Sequence, residues 1–501
     1  MNFTPIKNII IVGGGTSGWM AAASLSKFLS HKNIEIHLVE SNEIGTIGVG
    51  EATLPGILDF NNSLGIDQID FIKKTKATFK LGIEFNDWKN IGTRFFHPFS
   101  NYGQPLGGVD FYQIWQVLFK QGKASALENY CLPSILARQN KFSQPNPNTT
   151  SPLANYHYAF HFDASLYANY LRDYSEARGV IRHEDKVTGV NLADNGFIAG
   201  IKLEHAGDLA GDLFIDCTGF KGLLIEGALK TGYEDWSEWL PVNSAVAVQS
   251  ESTTEPTSYT KTTALEAGWK WKIPLQHRIG NGYVYCDKFI SDADATQKLL
   301  LSLDGKPLTT PKVIKFITGR RKKFWNKNCV ALGLSSGFLE PLESTSISLI
   351  QTGISKLLMF FPDNSFNEND MDEANRLAQV EMERIRDFIL LHYKLSQRND
   401  SPFWNYVQEI PIPEALQQKI NMFKHRGHLI KNEGESFGDA SWISIYNGFN
   451  IIPETFDLRV EQFNISALGQ QLEKIETTIK DAASYALHHQ AFIDKYCKAD
   501  L

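Results

Sequence analysis

The chain has 501 residues, 43% of them hydrophobic and 21% charged, and its formal net charge at pH 7 is -7. This composition is ordinary for a soluble globular protein, and it argues against nucleic-acid binding and against insertion into a membrane. A chain of this length exceeds one compact core, so it predicts either one composite domain with an appended module or two domains.

The cysteines and the N-terminus predict a cytoplasmic protein without a metal site. The five cysteines are odd in number, widely scattered and form no CxxC pair, so neither a disulfide framework nor a zinc site is expected. The chain enters an apolar strand at Ile9 without a basic leader, a small-residue cleavage site or an apolar run long enough to span a bilayer.

Residues 6 to 40 predict a βαβ unit. The apolar residues 9–12 form a first strand, a glycine-rich turn leads into a helix over 20–29, and the apolar residues 34–39 form a second strand. Such a unit belongs to a parallel sheet that is covered by helices.

The glycine-rich turn fits the pattern G-x-G-x-x-G between strand and helix, which is typical of dinucleotide binding. Gly13 permits the tight turn, Gly15 lets the backbone approach a pyrophosphate, and Gly18 lets helix and strand pack closely. Glu40 ends the second strand, where an acidic group would hold a ribose hydroxyl. The predicted cofactor contacts of the turn are Gly13, Gly15, Thr16, Ser17 and Gly18.

A second group of strands is predicted after residue 187. Residues 187–201 read as a β-hairpin with Asp194-Asn195-Gly196 at its turn, and 212–217 read as a strand that ends at a glycine turn. The segment DLFIDCTGFKG resembles the distal strand-and-glycine segment of FAD-binding oxidoreductases and favours FAD over NAD. An ordinary strand followed by a glycine turn stays open as the alternative.

The middle of the chain predicts an antiparallel sheet, and its C-terminal part predicts helices. Residues 244–289 are rich in Thr, Val, Tyr and Trp, whereas 143–152 and 250–263 are polar or proline-rich and predict surface loops. Apolar residues at three-to-four spacing predict a helix over 370–393, and the tail after Ile412 also predicts helices. We therefore expect a core over 1–352 and a mainly helical module over 353–501 that completes the substrate site.

Four segments together resemble the flavin-dependent tryptophan halogenases. Gly268-Trp269-Lys270-Trp271-Lys272-Ile273-Pro274 is similar to the GWxWxIP signature of that family, and the match spans nearly all of residues 6 to 350. The other segments are Ile47–Pro55, Ala77–Lys80 and Gly333–Ile347, with a weaker match at His97-Pro98-Phe99.

The resemblance implies an α/β fold with an FAD-binding Rossmann-like domain of the hydroxylase (GR2) type, an antiparallel substrate-side sheet and the C-terminal helical module. It implies a flavin-contacting strap and further cofactor contacts, and it places Trp269 and Trp271 beside the flavin, where they keep substrate away. The strap residues are Gly48, Val49, Gly50 and Glu51, and the further contacts are Val187, Gly219, Leu334 and Ile347.

The resemblance also implies a second site, with Lys80 and Glu343 as catalytic residues. FADH2 from a separate reductase, O2 and chloride or bromide would yield hypohalous acid, and the halogen would reach an electron-rich aromatic substrate such as indole or tryptophan. Lys80 would hydrogen-bond this species or form an N-halo adduct, and Glu343 would help to remove the ring proton. If the two groups are close, their opposite charges should keep Lys80 ionised.

The implied halide and substrate contacts follow from the same motifs. The halide stretch is Ser344, Thr345 and Ser346, although many members of the family have glycine where this chain has Ser346. One face of an indole sandwich is implied at His97, Pro98 and Phe99, since aromatic faces hold a ring by stacking and edge contacts.

Several alternatives stay open. Between 432 and 450 the chain has Glu435, Phe437, Trp442 and Tyr446 in an order unlike that of free-tryptophan halogenases, which favours an aromatic substrate without the amino-acid handle. The rival readings are a flavin monooxygenase that hydroxylates an aromatic substrate and a non-catalytic FAD-binding protein. A homodimer is expected only from the frequency of twofold assemblies.

Overall fold

The computed structural model describes residues 4–41, 50–146, 151–154 and 156–500. Within these ranges the chain forms 24 strands and 14 α-helices. The strands are β1 Asn8–Val12, β2 Glu35–Glu40, β3 Gly50–Ala52, β4 Thr78–Lys80, β5 Gly82–Asn86, β6 Arg94–Pro98, β7 Lys141–Phe142, β8 Ala159–Asp163, β9 Ile181–Glu184, β10 Val187–Leu192, β11 Ile198–Leu203, β12 Gly207–Ala210, β13 Leu213–Asp216, β14 Tyr233–Asp235, β15 Ser244–Ser250, β16 Thr260–Leu265, β17 Gly268–Pro274, β18 Ile279–Tyr285, β19 Lys312–Lys315, β20 Gly319–Arg321, β21 Trp325–Asn326, β22 Cys329–Ala331, β23 Gly337–Phe338 and β24 Leu487–His488. The helices are α1 Thr16–Phe28, α2 Gly56–Leu64, α3 Gln68–Thr75, α4 Phe111–Lys120, α5 Leu132–Arg138, α6 Ala164–Glu176, α7 Asp292–Leu301, α8 Ser346–Met359, α9 Glu368–Leu395, α10 Pro402–Glu409, α11 Glu414–Arg426, α12 Asp439–Gly448, α13 Ile465–Tyr485 and α14 His489–Tyr496.

A six-stranded sheet with the order β21-β22-β13-β1-β2-β9 forms the nucleotide-binding layer. Its central strands run parallel, with Ile10 paired to Phe214 on one side and to His37 on the other. Both β1 and β13 are almost wholly buried, as expected for parallel strands that are covered on both faces. The predicted βαβ unit and the strand predicted over 212–217 are confirmed.

A seven-stranded sheet with the order β19-β15-β18-β17-β16-β5-β6 forms the substrate-side layer. The antiparallel sheet predicted over 244–289 is confirmed in β15 to β18, and β16 also pairs in parallel with β5. The predicted hairpin is β10 and β11, which β12 extends.

The loop predicted over 250–263 is wrong at both ends. Ser250 is the last residue of β15, and Thr260 begins β16. Thr260 and Thr262 alternate with more exposed neighbours and are buried, because β-branched threonines suit a half-buried strand despite their polarity. Of the loop predicted over 143–152, residues 143–146 lie outside helices and strands, and 147–150 fall outside the described residues.

The C-terminal helices pack against the substrate-side sheet. The helix predicted over 370–393 is α9, and the helical tail predicted after Ile412 is also confirmed. One hydrophobic cluster joins Trp269 of β17 to Phe388 of α9 and Trp404 of α10. Helix α8 runs through the expected boundary at residue 352, so that division of the chain stays a prediction.

The fold is therefore α/β, with a Rossmann-like core, a substrate-side sheet that is mainly antiparallel, and C-terminal helices. All five cysteines are free, as expected. None of the helices in the described ranges combines the length and the apolar character needed to cross a bilayer.

Candidate active site

A cavity of about 690 Å³ runs from the glycine-rich turn after β1 to the tryptophans of β17 and the start of α8. Most of the predicted cofactor contacts line it, together with both signature tryptophans and two residues of the halide stretch. These are Gly13, Gly15, Thr16, Ser17, Glu40, Gly50, Glu51, Val187, Gly219, Leu334, Ile347, Trp269, Trp271, Ser344 and Ser346. The predicted contacts Gly48 and Val49 lie outside the described residues.

The glycines of the turn differ in what surrounds them. Gly13 has φ of +112°, and a Cβ there would lie 2.3 Å from the carbonyl oxygen of Cys217. A Cβ at Gly18 would lie 1.8 Å from the carbonyl oxygen of Gly13, so Gly18 serves packing and does not line the cavity. A Cβ at Gly15 would meet nothing within 4 Å, and Gly15 caps α1 without a side-chain hydrogen bond. This open helix N-terminus fits the pyrophosphate of FAD.

Replacing Gly15 with alanine should therefore weaken FAD binding without harming the fold. The added methyl group meets no protein atom but occupies the space that the pyrophosphate needs, so we expect the Kd for FAD to rise by about tenfold or more. Fluorescence titration with FAD measures this change, and thermal unfolding of the FAD-free protein should stay as in the wild type.

Gly438→Ala is the matched control for this variant. Gly438 also caps a helix, with φ -74° and ψ 174° against -75° and -174° at Gly15, and it also has no neighbour within 4 Å of a Cβ. Gly438→Ala should leave the affinity for FAD unchanged. Equal affinities of the two variants would contradict the assignment of Gly15.

Glu40 lies at the end of β2, as predicted, but its carboxylate already has two donors. The indole Nε1 of Trp19 donates to Oε2 at 3.3 Å, and the Arg182 guanidinium donates to Oε1 at 2.6 Å. Arg182 comes from the neighbouring strand β9, and nothing in the sequence around Glu40 predicts this contact. The pair fixes the orientation of the carboxylate toward the cavity, since two donors hold two lone-pair directions.

The described part of the flavin strap forms β3 against β8, where Glu51 is paired with Phe162. Burial, with a smaller contribution from the negative charge of Asp163, raises the pKa of Glu51 to about 7. Glu51 is therefore a proton-carrying group near neutral pH at the wall of the cavity.

The two tryptophans of β17 are held by the strand beside them. A Cβ at Gly282 of β18 would lie 2.1 Å from the ring of Trp271, so only glycine accommodates the indole there. Trp269 is fully buried, and its Nε1 donates to the carboxylate of Glu340 at 3.2 Å. Both indoles are thus rigid parts of the cavity wall.

Lys80 is the last residue of β4 and is completely buried. Its Nζ donates to the carbonyl oxygen of Thr53 at 3.0 Å and to the hydroxyl of Ser344 at 2.8 Å, and it lies 5.1 Å from the centre of the Phe99 ring. Ser344 adopts φ of +60°, unusual for a residue other than glycine, and also lines the cavity. Ser344 therefore connects the buried amine to the cavity.

Glu343 is also completely buried and lies between two histidines. Its Oε2 is 3.0 Å from His97 Nδ1, and its Oε1 is 2.9 Å from His392 Nε2. Burial by itself would raise the pKa of Glu343, but the charges and hydrogen bonds of His97 and His392 lower it to about 2. The carboxylate is consequently ionised at neutral pH.

The condition for a direct pairing of Lys80 with Glu343 is not met. The two residues form no ion pair within 4 Å in the described structure, and the partners of Glu343 are imidazoles. Burial lowers the pKa of Lys80 to about 7, and the charge of Glu343 only partly opposes this effect. A substantial fraction of Lys80 is therefore neutral at pH 7.

Aromatic rings surround the predicted indole-binding residue His97. Its ring centre lies 6.3 Å from that of Phe99, 5.9 Å from that of Phe388 and 6.4 Å from that of Phe437. Phe388 stacks on Phe437 at 4.0 Å and meets Trp442 edge-on at 5.0 Å. Pro98 is buried at the end of β6, where it pairs with Gly82.

The halide stretch lies at the N-terminus of α8. Thr345 caps this helix without a side-chain hydrogen bond, and its hydroxyl is buried with no partner among the described residues. Unpaired backbone N–H groups at a helix start attract anions.

Sequence reasoning gave no role at this buried cluster to His392 or Phe388. His392 lies in an otherwise apolar stretch of α9, and this isolated polar residue was the only local feature that could have indicated a function for it. Nothing local in the sequence links it to Glu343, 49 residues earlier.

Comparisons with known proteins agree with this arrangement. The family model for tryptophan halogenase matches residues 8–464. The tryptophan 6-halogenase SttH of Streptomyces toxytricini is 35% identical over 450 residues, which cover 85% of this chain and 85% of SttH. The solved structure of BrvH, a flavin-dependent halogenase from Brevundimonas sp. BAL3, is 44% identical, with a TM-score of 0.95 over 98% of this chain and 99% of BrvH. That of Xcc4156, a flavin-dependent halogenase from Xanthomonas campestris, is 41% identical, with a TM-score of 0.95 over 99% of both chains.

Proposed function

We propose, on the premise that this chain belongs to the tryptophan halogenase family, that it transfers a halogen through Lys80 to an indole-like aromatic ring. The chain is a flavin-dependent halogenase, an enzyme that uses FAD, O2 and a halide. The proposal rests on Ser344, which lines the FAD cavity and also accepts a hydrogen bond from the buried amine of Lys80.

The residues around the cavity suit FAD. The N-terminus of α1 at Gly15 would hold the pyrophosphate, Glu40 would hold the ribose, and Trp269 and Trp271 would wall the flavin end. When bound in its reduced form, FAD with O2 and a halide supplies hypohalous acid. The chain itself keeps Lys80 apart from the cavity, because the indoles of Trp269 and Trp271 line the cavity and Lys80 lies behind Ser344.

Lys80 is built to act as a neutral amine. Its two N–H groups are used by the Thr53 carbonyl and the Ser344 hydroxyl, which leaves the nitrogen lone pair free. The lone pair attacks the halogen of hypohalous acid: an N–halogen bond forms, the O–halogen bond breaks, and one N–H proton leaves with hydroxide as water. An ammonium would instead use its third N–H to hydrogen-bond the hypohalous oxygen.

The pH dependence of halogenation separates these two forms of Lys80. Because burial lowers the pKa of Lys80 to about 7, the neutral amine accumulates as the pH rises through 7. We expect the yield of halogenated product per reduced flavin to rise by about tenfold in all between pH 6 and pH 8, as the neutral fraction of Lys80 increases. A yield that falls over this range would favour the ammonium form.

Glu343 would accept the ring proton after halogen addition, since its pKa of about 2 keeps it ionised. His97 and Phe99 would hold the ring near this carboxylate. The carboxylate of Glu435, a candidate ligand for an ammonium group, is already paired with Lys419. This pairing supports an aromatic substrate without an amino-acid handle, such as indole.

The halide, the reductase and the assembly are further parts of the proposal. The buried Thr345 hydroxyl and the first amides of α8 would bind the halide, which is either chloride or bromide. No second nucleotide motif follows the first βαβ unit in the sequence, which supports a separate reductase as the source of FADH2. Five free cysteines suit a reducing cytoplasm, and a homodimer rests on the frequency of twofold assemblies.

The deciding experiment combines the purified protein with a flavin reductase, NADH, FAD, O2 and either bromide or chloride. Indole and tryptophan are offered separately, and products are read by the halogen isotope pattern in mass spectrometry. The proposal expects halogenated indole in larger amount than halogenated tryptophan. Hydroxylated product without halide would support a monooxygenase, and bound FAD with no conversion would support a non-catalytic protein.

A further inference from the structure

The hydrogen bonds of His392 require an additional proton, which the predicted roles of Lys80 and Glu343 do not include. Its Nδ1 lies 2.9 Å from the carbonyl oxygen of Phe388, one turn earlier in α9. A carbonyl oxygen only accepts hydrogen bonds, so Nδ1 must carry a proton. The contact of 2.9 Å between Nε2 and Glu343 Oε1 then needs a second proton, because a carboxylate also only accepts.

His97, on the other side of Glu343, has no such requirement. Its Nδ1 donates to Glu343, and its Nε2 has no hydrogen-bond partner among the described residues, so one proton is sufficient. The second proton at His392 is therefore shared between His392 and Glu343 as an imidazolium with a carboxylate, or as an imidazole with a carboxylic acid.

We propose that His392 is a positioning residue that shares a proton with Glu343 and thereby keeps this buried carboxylate ready to accept the ring proton. This inference rests on the proposed function. In the step that it serves, the ring C–H bond breaks, its electron pair returns to the ring, and the proton forms an O–H bond on Glu343. Either starting form ends as a carboxylic acid beside an imidazolium, so His392 holds the positive charge.

A second buried glutamate shows what the two histidines, His97 and His392, contribute. Glu340 is also completely buried, but its donors are the neutral Trp269 indole and Tyr393 hydroxyl, and burial raises its pKa to about 7 despite them. Glu343 has imidazole donors, and its pKa is instead about 2. Histidines, in contrast to neutral donors, thus account for an ionised carboxylate at this depth.

Few groups surround the pair formed by His392 and Glu343. His97 on β6 and Lys80 on β4 act on Glu343 by their charges or hydrogen bonds. The rings of Phe85, Trp88 and Phe388 lie next to the ring of His392, and their faces are apolar. His392 is completely buried and contacts Glu343 instead of the cavity, so its action passes through Glu343.

The first test measures activity as a ratio. His392→Gln keeps a neutral donor toward Glu343, and His392→Phe keeps a ring without nitrogen. For each variant, the rate of indole halogenation is divided by the rate of the wild type at the same pH, from pH 8 down to pH 5.5. This ratio cancels the effect of Lys80 titration, which is common to both proteins. We expect the ratio to fall by about tenfold per pH unit below the raised pKa of Glu343, starting at higher pH in His392→Phe. A ratio that is low but independent of pH would mean a merely structural role and would overturn the inference.

The second test needs no turnover and reads the wild-type protein directly. A shared proton between imidazole and carboxylate should give a low-field proton NMR signal in the wild-type protein, and Glu343→Gln and His392→Gln should both remove it. His489 is the matched control, because its Nδ1 also lies 2.9 Å from a carbonyl oxygen while its Nε2 accepts from the Phe79 amide. His489→Gln should keep the signal.

The outcomes are distinct. Absence of the low-field signal in a wild-type enzyme that halogenates indole would overturn the role of His392 and leave the proposed function standing. Absence of halogenated product in the wild type would instead reject the proposed function.

Discussion

Replacing Lys80 with methionine is expected to lower the rate of halogenation by about 10²- to 10⁴-fold while FAD binding stays unchanged. Methionine fills the buried space of the lysine chain but has no nitrogen to carry the halogen. FAD should still bind, because the Gly15 turn and Glu40 line the cavity and Lys80 does not. Product is measured by mass spectrometry under a fixed supply of reduced flavin, and bound FAD by absorbance.

Lys356→Met is the control for the loss of a lysine that is largely buried and paired. The Lys356 amine, in the last turn of α8, donates to Glu381 of α9, and Lys356 does not line the cavity. This variant should halogenate as the wild type does. Wild-type turnover in Lys80→Met would remove Lys80 from the mechanism.

Replacing Glu343 with glutamine should cause a loss of similar size, about 10²- to 10⁴-fold in turnover. The amide has nearly the same volume but is too weakly basic to take the ring proton. Its NH2 group would also meet a donor on either His97 or His392, since both ring nitrogens now point their protons at the carboxylate. Indole turnover, with FAD retention as the second readout, checks this result.

Glu340→Gln is the matched control for Glu343→Gln. Glu340 is equally buried, and its pKa of about 7 means that it is already partly protonated at neutral pH, so a neutral amide replaces it more faithfully. We expect a much smaller loss of turnover than at Glu343. Equal losses in the two variants would show that Glu343 contributes packing and not proton transfer.

The parts of the site that follow local rules could be predicted from the sequence. The pattern of Gly13, Gly15 and Gly18 lies within six residues, and the structure places it at the turn between β1 and α1, where the positive φ of Gly13 is a local requirement. The helix α9 was also predictable, because its apolar spacing is carried by its own sequence.

The parts that depend on distant contacts could not be predicted. The protonation of Lys80 is set by its complete burial, whereas the sequence suggested only that an acidic residue would lie near it. His392 reaches Glu343 only after α9 has folded against the substrate-side sheet. The strand β16 was missed at its start because Thr260 and Thr262 read as polar, although both are buried.

The glycine beneath Trp271 has a consequence for protein engineering. A one-residue slip of β18 against β17 would bring the side chain of Asn281 or Tyr283 under the indole, where there is space only for hydrogen. This part of the cavity wall is thus encoded in the strand register and is intolerant of insertions or deletions. Laboratory evolution toward bulkier substrates should accordingly accumulate its mutations in the helices that carry Phe388 and Trp442, and not in β17 and β18.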